Sequence, residues 1–254
     1  MTSRHWLAAA GAAFVIAAAG SAAKAMPTPS TPVDADIAFV VDQSGSMGGE
    51  FSFLGGAISG FLTDLNNDSR INNAQAGLIS FESSPTLVQD LTGDATVLSN
   101  AFSSVSTFGG RENALEAVDS AIPMGNIDLG LSYRPNSVKT VILITDEDAD
   151  DDSTAARTDL ENLIDNKGFL VNIIADGFAG NFDDEFEQIA RPAGALFDID
   201  DFRNDRQGFF QQFTNTKIQE ITQTPVPVPA TAALFGLGLF ALGLAGGYRR
   251  HRAG

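Results

Sequence analysis

The sequence predicts an α/β fold in which a mostly parallel central sheet carries helices on both faces and one antiparallel strand at an edge. Three observations support this. Strand-like apolar runs alternate with amphipathic helical stripes from Ile37 to Ile221. Several of those runs are apolar throughout rather than at every second residue, as in strands buried on both faces. Only at residues 76–91 do two strand-like segments follow one another across a short turn, which suits an edge hairpin.

Taken in order, residues 36–41 form an apolar run that ends on Asp42. After Gly48 and Gly49, the residues Leu54, Ile58, Phe61, Leu62 and Leu65 recur at helical spacing. Residues 76–81 and 86–91 are the hairpin strands, joined through Ser83, Ser84 and Pro85. Helices are expected at 97–105 and around Leu115, Val118 and Ile122. Residues 138–145, a nearly unbroken β-branched run, are the most strand-like of all. A helix with Leu160, Leu163 and Ile164 stops at Gly168, and a strand at 169–175 follows. A helix carrying Phe182, Phe186 and Ile189, a strand at 195–199 and a last helix through Phe209, Phe210, Phe213, Ile218 and Ile221 complete the pattern.

Both ends differ in composition from this middle. Arg4, an apolar run at residues 6–19 and a closing Ala23-Lys24-Ala25 have the form of a secretory signal cleaved after Ala25. An uncleaved membrane anchor is the alternative, but the run is short for a span. Residues 26–33 then read as a linker, 34–223 as the folded domain, 224–231 as a proline-rich spacer, 232–248 as an apolar helix long enough to cross a bilayer, and 249–254 as a basic tail. Of the fifteen lysines and arginines, Arg4 and Lys24 fall in the leader and Arg249, Arg250 and Arg252 in the tail. Ten therefore remain against all 32 acids, a formal charge of −22 for the middle. Such a surface repels phosphate backbones, so nucleic acid is excluded as a partner, while divalent cations are attracted. Part of the acidity serves solubility alone.

The chain has no cysteine, which removes disulfides and thiolate metal sites. Its two histidines are His5, in the leader, and His251, in the tail. The domain between them therefore offers no His-dependent nucleophile and no His-ligated zinc.

The chemistry lies at Asp42-Gln43-Ser44-Gly45-Ser46, directly after the first strand and before a helix. Open α/β sheets bind ligands at the carboxyl ends of their strands. One carboxylate and two hydroxyls at alternate positions of a tight loop can converge on a hard cation such as Mg2+, with Mn2+ and Ca2+ as the alternatives. Two more loops at the same edge supply acids: Asp146 ends the strongest strand, and Glu112 follows Gly109-Gly110-Arg111 at the start of a helix. The acid run at 146–152 begins like a calcium-binding loop, but Asp151 stands where glycine is required and Arg157 where glutamate is. It reads instead as a solvated loop or a weak second ion site around Asp146. Glu50 reads as an exposed acid at a helix start, or as a ligand to a neighbouring ion.

The segments Ile37-Ala38-Phe39-Val40-Val41-Asp42-Gln43-Ser44-Gly45-Ser46-Met47 and Val141-Ile142-Leu143-Ile144-Thr145-Asp146 resemble the metal-ion-dependent adhesion site of von Willebrand factor type A domains. The resemblance spans residues 33–223 and implies that Rossmann-like fold, with Asp42, Ser44, Ser46 and Asp146 around a divalent ion. Many members place a threonine in the second metal loop. Here Glu112 stands there, similar to the integrin β-subunit variant, and Thr107 is the fallback ligand. With Glu112, three carboxylates would surround the ion, and an incoming carboxylate would be attracted less strongly. The tail, Val226-Pro227-Val228-Pro229-Ala230 followed by a glycine-rich apolar stretch and terminal arginines, resembles PEP-CTERM sorting signals of the Val-Pro-Leu-Pro-Ala type. That implies handling by an exosortase in a Gram-negative bacterium, transient residence in the inner membrane, and delivery to the cell surface or matrix. An ordinary tail anchor is the alternative.

Three functions then compete. The first is a surface binding module that engages a carboxylate of a protein or polysaccharide through the ion. The second is an envelope or exopolysaccharide component in which the ion only staples loops together. The third is a hydrolase using metal-activated water, which lacks a histidine base in the domain.

Overall fold

The computed structural model describes residues 31–176, 186–192 and 195–225. Six strands run through them: β1 (Val33–Asp42), β2 (Ile71–Phe81), β3 (Thr86–Thr92), β4 (Ser137–Ile144), β5 (Leu170–Ala175) and β6 (Leu196–Asp198). Six helices accompany them: α1 (Gly48–Asn67), α2 (Ala95–Ser104), α3 (Ala114–Ser120), α4 (Thr154–Lys167), α5 (Ile199–Asn204) and α6 (Arg206–Gln223). The sheet order is β3-β2-β1-β4-β5-β6. All neighbours are parallel except β2 and β3, so the antiparallel strand lies at one edge, as the sequence predicts.

β1 sits at the centre because it is apolar on both sides. Its Ile37, Phe39 and Val41 join one core with Leu54, Ile58, Phe61, Phe102 and Phe213. Its Ala38 and Val40 join the other with Leu115, Val118, Leu160 and Ile164. Alternate residues of a strand point to opposite faces, so one continuous run feeds two layers of helices. The helical stripe foreseen for α1 is buried at every position, from Leu54 to Leu65. α4 starts where the Ser153 side chain accepts the Ala156 N–H and stops at Gly168, whose φ of 67° is a left-handed turn that glycine adopts without strain.

The end of the domain departs from the expected pattern. Strand β6 is shorter than 195–199, and the final helix is two. Asp198 turns the chain out of the sheet by accepting the Asp200 N–H, and α5 begins at once. Asp205 ends α5 and caps α6 by accepting the Gly208 N–H. The phenylalanine stripe is shared by both helices: Phe202 packs against Phe53, Phe209 and Phe210, and Phe213 against Phe61 and Phe197. Of the helix expected through Phe182, Phe186 and Ile189, residues 186–189 are described, with Phe186 and Ile189 buried, while Phe182 lies outside the described residues, as do the leader and the tail beyond residue 225.

Lys217, on the inner face of α6, is wholly buried and donates to Glu220. Burial lowers its pKa to about 8, against the pull of Glu220. The folded value lies below the unfolded one, so the cost of the charge is present in full below pH 8 and disappears as pH rises toward about 10.5. Replacing a buried ion pair with apolar groups is neutral or stabilising by about 1–4 kcal/mol. The Lys217→Met/Glu220→Gln variant is therefore expected to melt several degrees above the wild type at pH 7. Thermal melts across pH 7 to 10 should show that gap narrowing.

Candidate metal centre

Asp42 is the last residue of a buried strand, and its carboxylate is itself buried. Two donors hold it: the Ser44 N–H at 2.7 Å on Oδ1 and the Thr145 hydroxyl at 2.9 Å on Oδ2. Thr145 follows β4, so the two central strands fix the carboxylate between them. Burial nevertheless raises the Asp42 pKa to about 6, with the Asp146 charge adding to the rise while the hydrogen bonds oppose it.

Beside it, the Ser46 hydroxyl lies 2.8 Å from Ser44 Oγ, 2.9 Å from Asp146 Oδ1 and 3.3 Å from Glu147 Oε1. Two hydroxyls supply two protons, and Ser46 can give its own to only one carboxylate at a time. The cluster is thus rich in acceptors and poor in donors.

Glu112 sharpens the imbalance. It is 2% exposed, and its Oε1 is buried with no hydrogen-bond partner. Burial, then the Glu147 and Asp42 charges, push its pKa up to about 8. Its backbone is clamped to the third loop in both directions: its N–H donates to Asp150 Oδ2 at 3.2 Å, and its carbonyl accepts from the Asp150 N–H at 2.8 Å. Gly109 turns the second loop with a φ of 87°, and the Phe108 N–H donates to the Gln43 carbonyl at 2.8 Å. The three loops are therefore tied by backbone bonds.

The structure brings Asp42, Ser44, Ser46, Glu112 and Asp146 to one rim, with differences from the sequence reading. The ring of three carboxylates is not drawn together. Asp146 gives Oδ1 to Ser46 and Oδ2 to the guanidinium of Arg203 at 2.6 Å, and among the described residues no three acidic side chains form a ready cation cage. The donor set is instead mixed carboxylate and hydroxyl, which suits a hard ion that keeps water in its shell. Glu50 is not exposed: it is buried and paired with Arg203 at 2.6 Å. The acid run after Asp146 is not simply solvated either. Asp150 holds Glu112, and Asp151 caps α3 by accepting the Leu115 and Glu116 N–H groups. Thr107 lies beside the first turn of α1, its hydroxyl 3.5 Å from where a side-chain carbon on Gly48 would stand.

Thr145, Glu147 and Arg203 escaped the sequence reading. Thr145 carried a signal, as the hydroxyl directly before the strand-ending acid. Arg203 carried none.

The family model for the von Willebrand factor type A domain matches residues 36–215. The chain belongs to this family. Among solved structures, the vWF domain of the type V pili tip protein Mfa5 from Porphyromonas gingivalis superposes with a TM-score of 0.58 at 13% identity, over 78% of this chain and 99% of that one. Proximal thread matrix protein 1 from the mussel byssus, solved with a zinc-occupied MIDAS motif, gives 0.52 at 20% identity, over 73% of this chain and 46% of that one. The pilus adhesin SpaC from Lactobacillus rhamnosus GG gives 0.52 at 18% identity, over 76% and 30%. The chain thus spans under half of the last two proteins, and these identities speak for the fold alone. A search of curated proteins returned no match.

Glu112 is a raised carboxyl, so its charge costs stability increasingly as pH rises from 4.5 to about 8, and by a constant amount above. In chelator, Glu112→Gln is expected to raise the melting temperature at pH 9 and much less at pH 5. A gain that does not grow with pH contradicts the placement of Glu112 among the acids.

Proposed function

We propose that this domain is an exported binding module that engages a carboxylate of a protein or polysaccharide partner through a divalent cation. Asp42, Ser44 and Ser46 would hold the ion, with Glu112 and Asp146 completing its surroundings directly or through water. Magnesium suits the small oxygen set, and manganese and calcium are the alternatives. When bound, the ion supplies Lewis acidity toward an incoming carboxylate.

The observation that carries this reading is the surplus of acceptors at the rim: Asp146 and Glu147 share the single proton of Ser46, and the buried Oε1 of Glu112 has no hydrogen-bond partner. Buried acceptors without donors are costly, and a cation removes the cost at several of them together. The role of mere staple is disfavoured because the three loops are already joined through Phe108, Gln43, Glu112 and Asp150 without an ion. Binding rather than hydrolysis fits a domain that holds no histidine to serve as a general base. The pilus-tip protein, the byssal matrix protein and the pilus adhesin carry the same fold, which agrees with this reading.

Residues 1–25 would direct export, and the stretch after residue 223 would pass through the inner membrane to an exosortase-type enzyme, which delivers the domain to the cell surface or matrix. Residues 1–25 and those beyond 225 lie outside the described residues.

Magnesium is expected to raise the melting temperature of the wild type progressively with occupancy, as for any ligand that binds only the native state. Asp42→Ala should stay folded and lose that response, and an equal response in both proteins argues against the assignment. Thr107→Ala should retain it. For the tail, mass spectrometry of the surface-exposed protein should find no peptide containing Tyr248 and Arg249. Their persistence would mark a permanent anchor instead.

A further inference from the structure

Arg203 reaches the rim from α5, a helix the metal-loop residues do not belong to. Its Nε donates to Glu50 Oε1 and its Nη2 to Asp146 Oδ2, each at 2.6 Å, while Nη1 stands 3.4 Å from Asp200. Glu50 and Asp146 are 5% and 8% exposed at their side chains. The second oxygen of Glu50 is buried and has no hydrogen-bond partner at all. Two buried carboxylates, one in the first turn of α1 and one in the loop after β4, thus face one another across a single charge. Hydrogen bonds to these two groups hold the guanidinium charged above its ordinary range, although burial works against it.

The arginine is also placed rigidly. The preceding residue, Phe202, is 1% exposed and wedged between Phe53, Phe209 and Phe210. Arg206 lies over the Phe53 and Phe202 rings, at 5.3 and 5.8 Å. A long, mobile side chain placed at random does not bridge two buried acids with charge-assisted bonds on two of its nitrogens.

We propose that Arg203 is a tethered cation filling a second cation position, formed by Glu50 and Asp146 beside the Asp42 site. It neutralises Glu50, holds Asp146 by one oxygen, and leaves the other oxygen facing Ser46. Asp146 is thereby a fixed outer group for the Asp42 site instead of a free competitor for ions. The inference rests on the proposed metal reading only for the identity of the neighbouring site.

Removing the guanidinium should expose the second position to a free ion. The experiment counts manganese and calcium bound per chain, by equilibrium dialysis with elemental analysis, in the full domain. Arg203→Ala is expected to bind one ion more than the wild type, and Arg203→Lys the same number as the wild type. Glu50→Gln/Arg203→Ala should lose the extra ion. On an Asp42→Ala background the increment should persist, so a failure of the Asp42 site lowers both counts and leaves their difference intact. If Arg203→Ala unfolds in chelator, recovery of its circular dichroism spectrum by calcium supports the proposal. An unchanged ion count in folded Arg203→Ala, or no recovery of an unfolded one, overturns it.

Discussion

Negative charge held out of water at the end of β1 is the constraint on which the site depends. A strand apolar on both faces can be buried only at the centre of the sheet, and this one ends on Asp42. The fold therefore delivers a carboxylate to the rim in a place where its charge is poorly solvated. The Ser44 N–H and the Thr145 hydroxyl satisfy its two oxygens but leave its pKa raised. Every other acid added at that rim increases the cost, and Glu112, Asp146 and Glu147 are all added.

The surrounding structure answers that charge in three ways. Backbone N–H groups absorb part of it, as at Asp150 and Asp151, which hold the second loop and cap α3. Arg203 answers Glu50 and half of Asp146. What remains is the group of Asp42, Ser44, Ser46 and Glu112, where acceptors outnumber protons. A divalent cation is the ordinary chemical answer to such a remainder.

The elements legible in the sequence were those whose burial pattern admits one arrangement. β1, β4 and α1 carry unambiguous periods, and the β2–β3 hairpin is marked by its short turn. The Asp42-to-Ser46 loop was legible as a tight turn between a buried strand and a helix, a context that gathers its carboxylate and two hydroxyls. The α5–α6 break was not, because Phe202, Phe209, Phe210 and Phe213 serve one aromatic cluster across it, and the stripe hides the Asp205 cap. The acids at 147–152 looked like solvated charge because a sequence does not reveal which backbone N–H groups a carboxylate meets. Arg203 was invisible for a similar reason: it lies 57 positions from Asp146 and is brought there only by the packing of Phe202.

A cation held by Asp42, Ser44 and Ser46 at the end of β1 would be visible by its own scattering. Anomalous diffraction at the manganese edge, from crystals of residues 31–225 grown with manganese, tests for it most directly. A peak bonded to oxygens of these three residues is expected, with Glu112 nearer to it than Thr107 and Arg203 still paired with Asp146. No peak at that rim, or one whose protein ligands exclude Asp42, would contradict it.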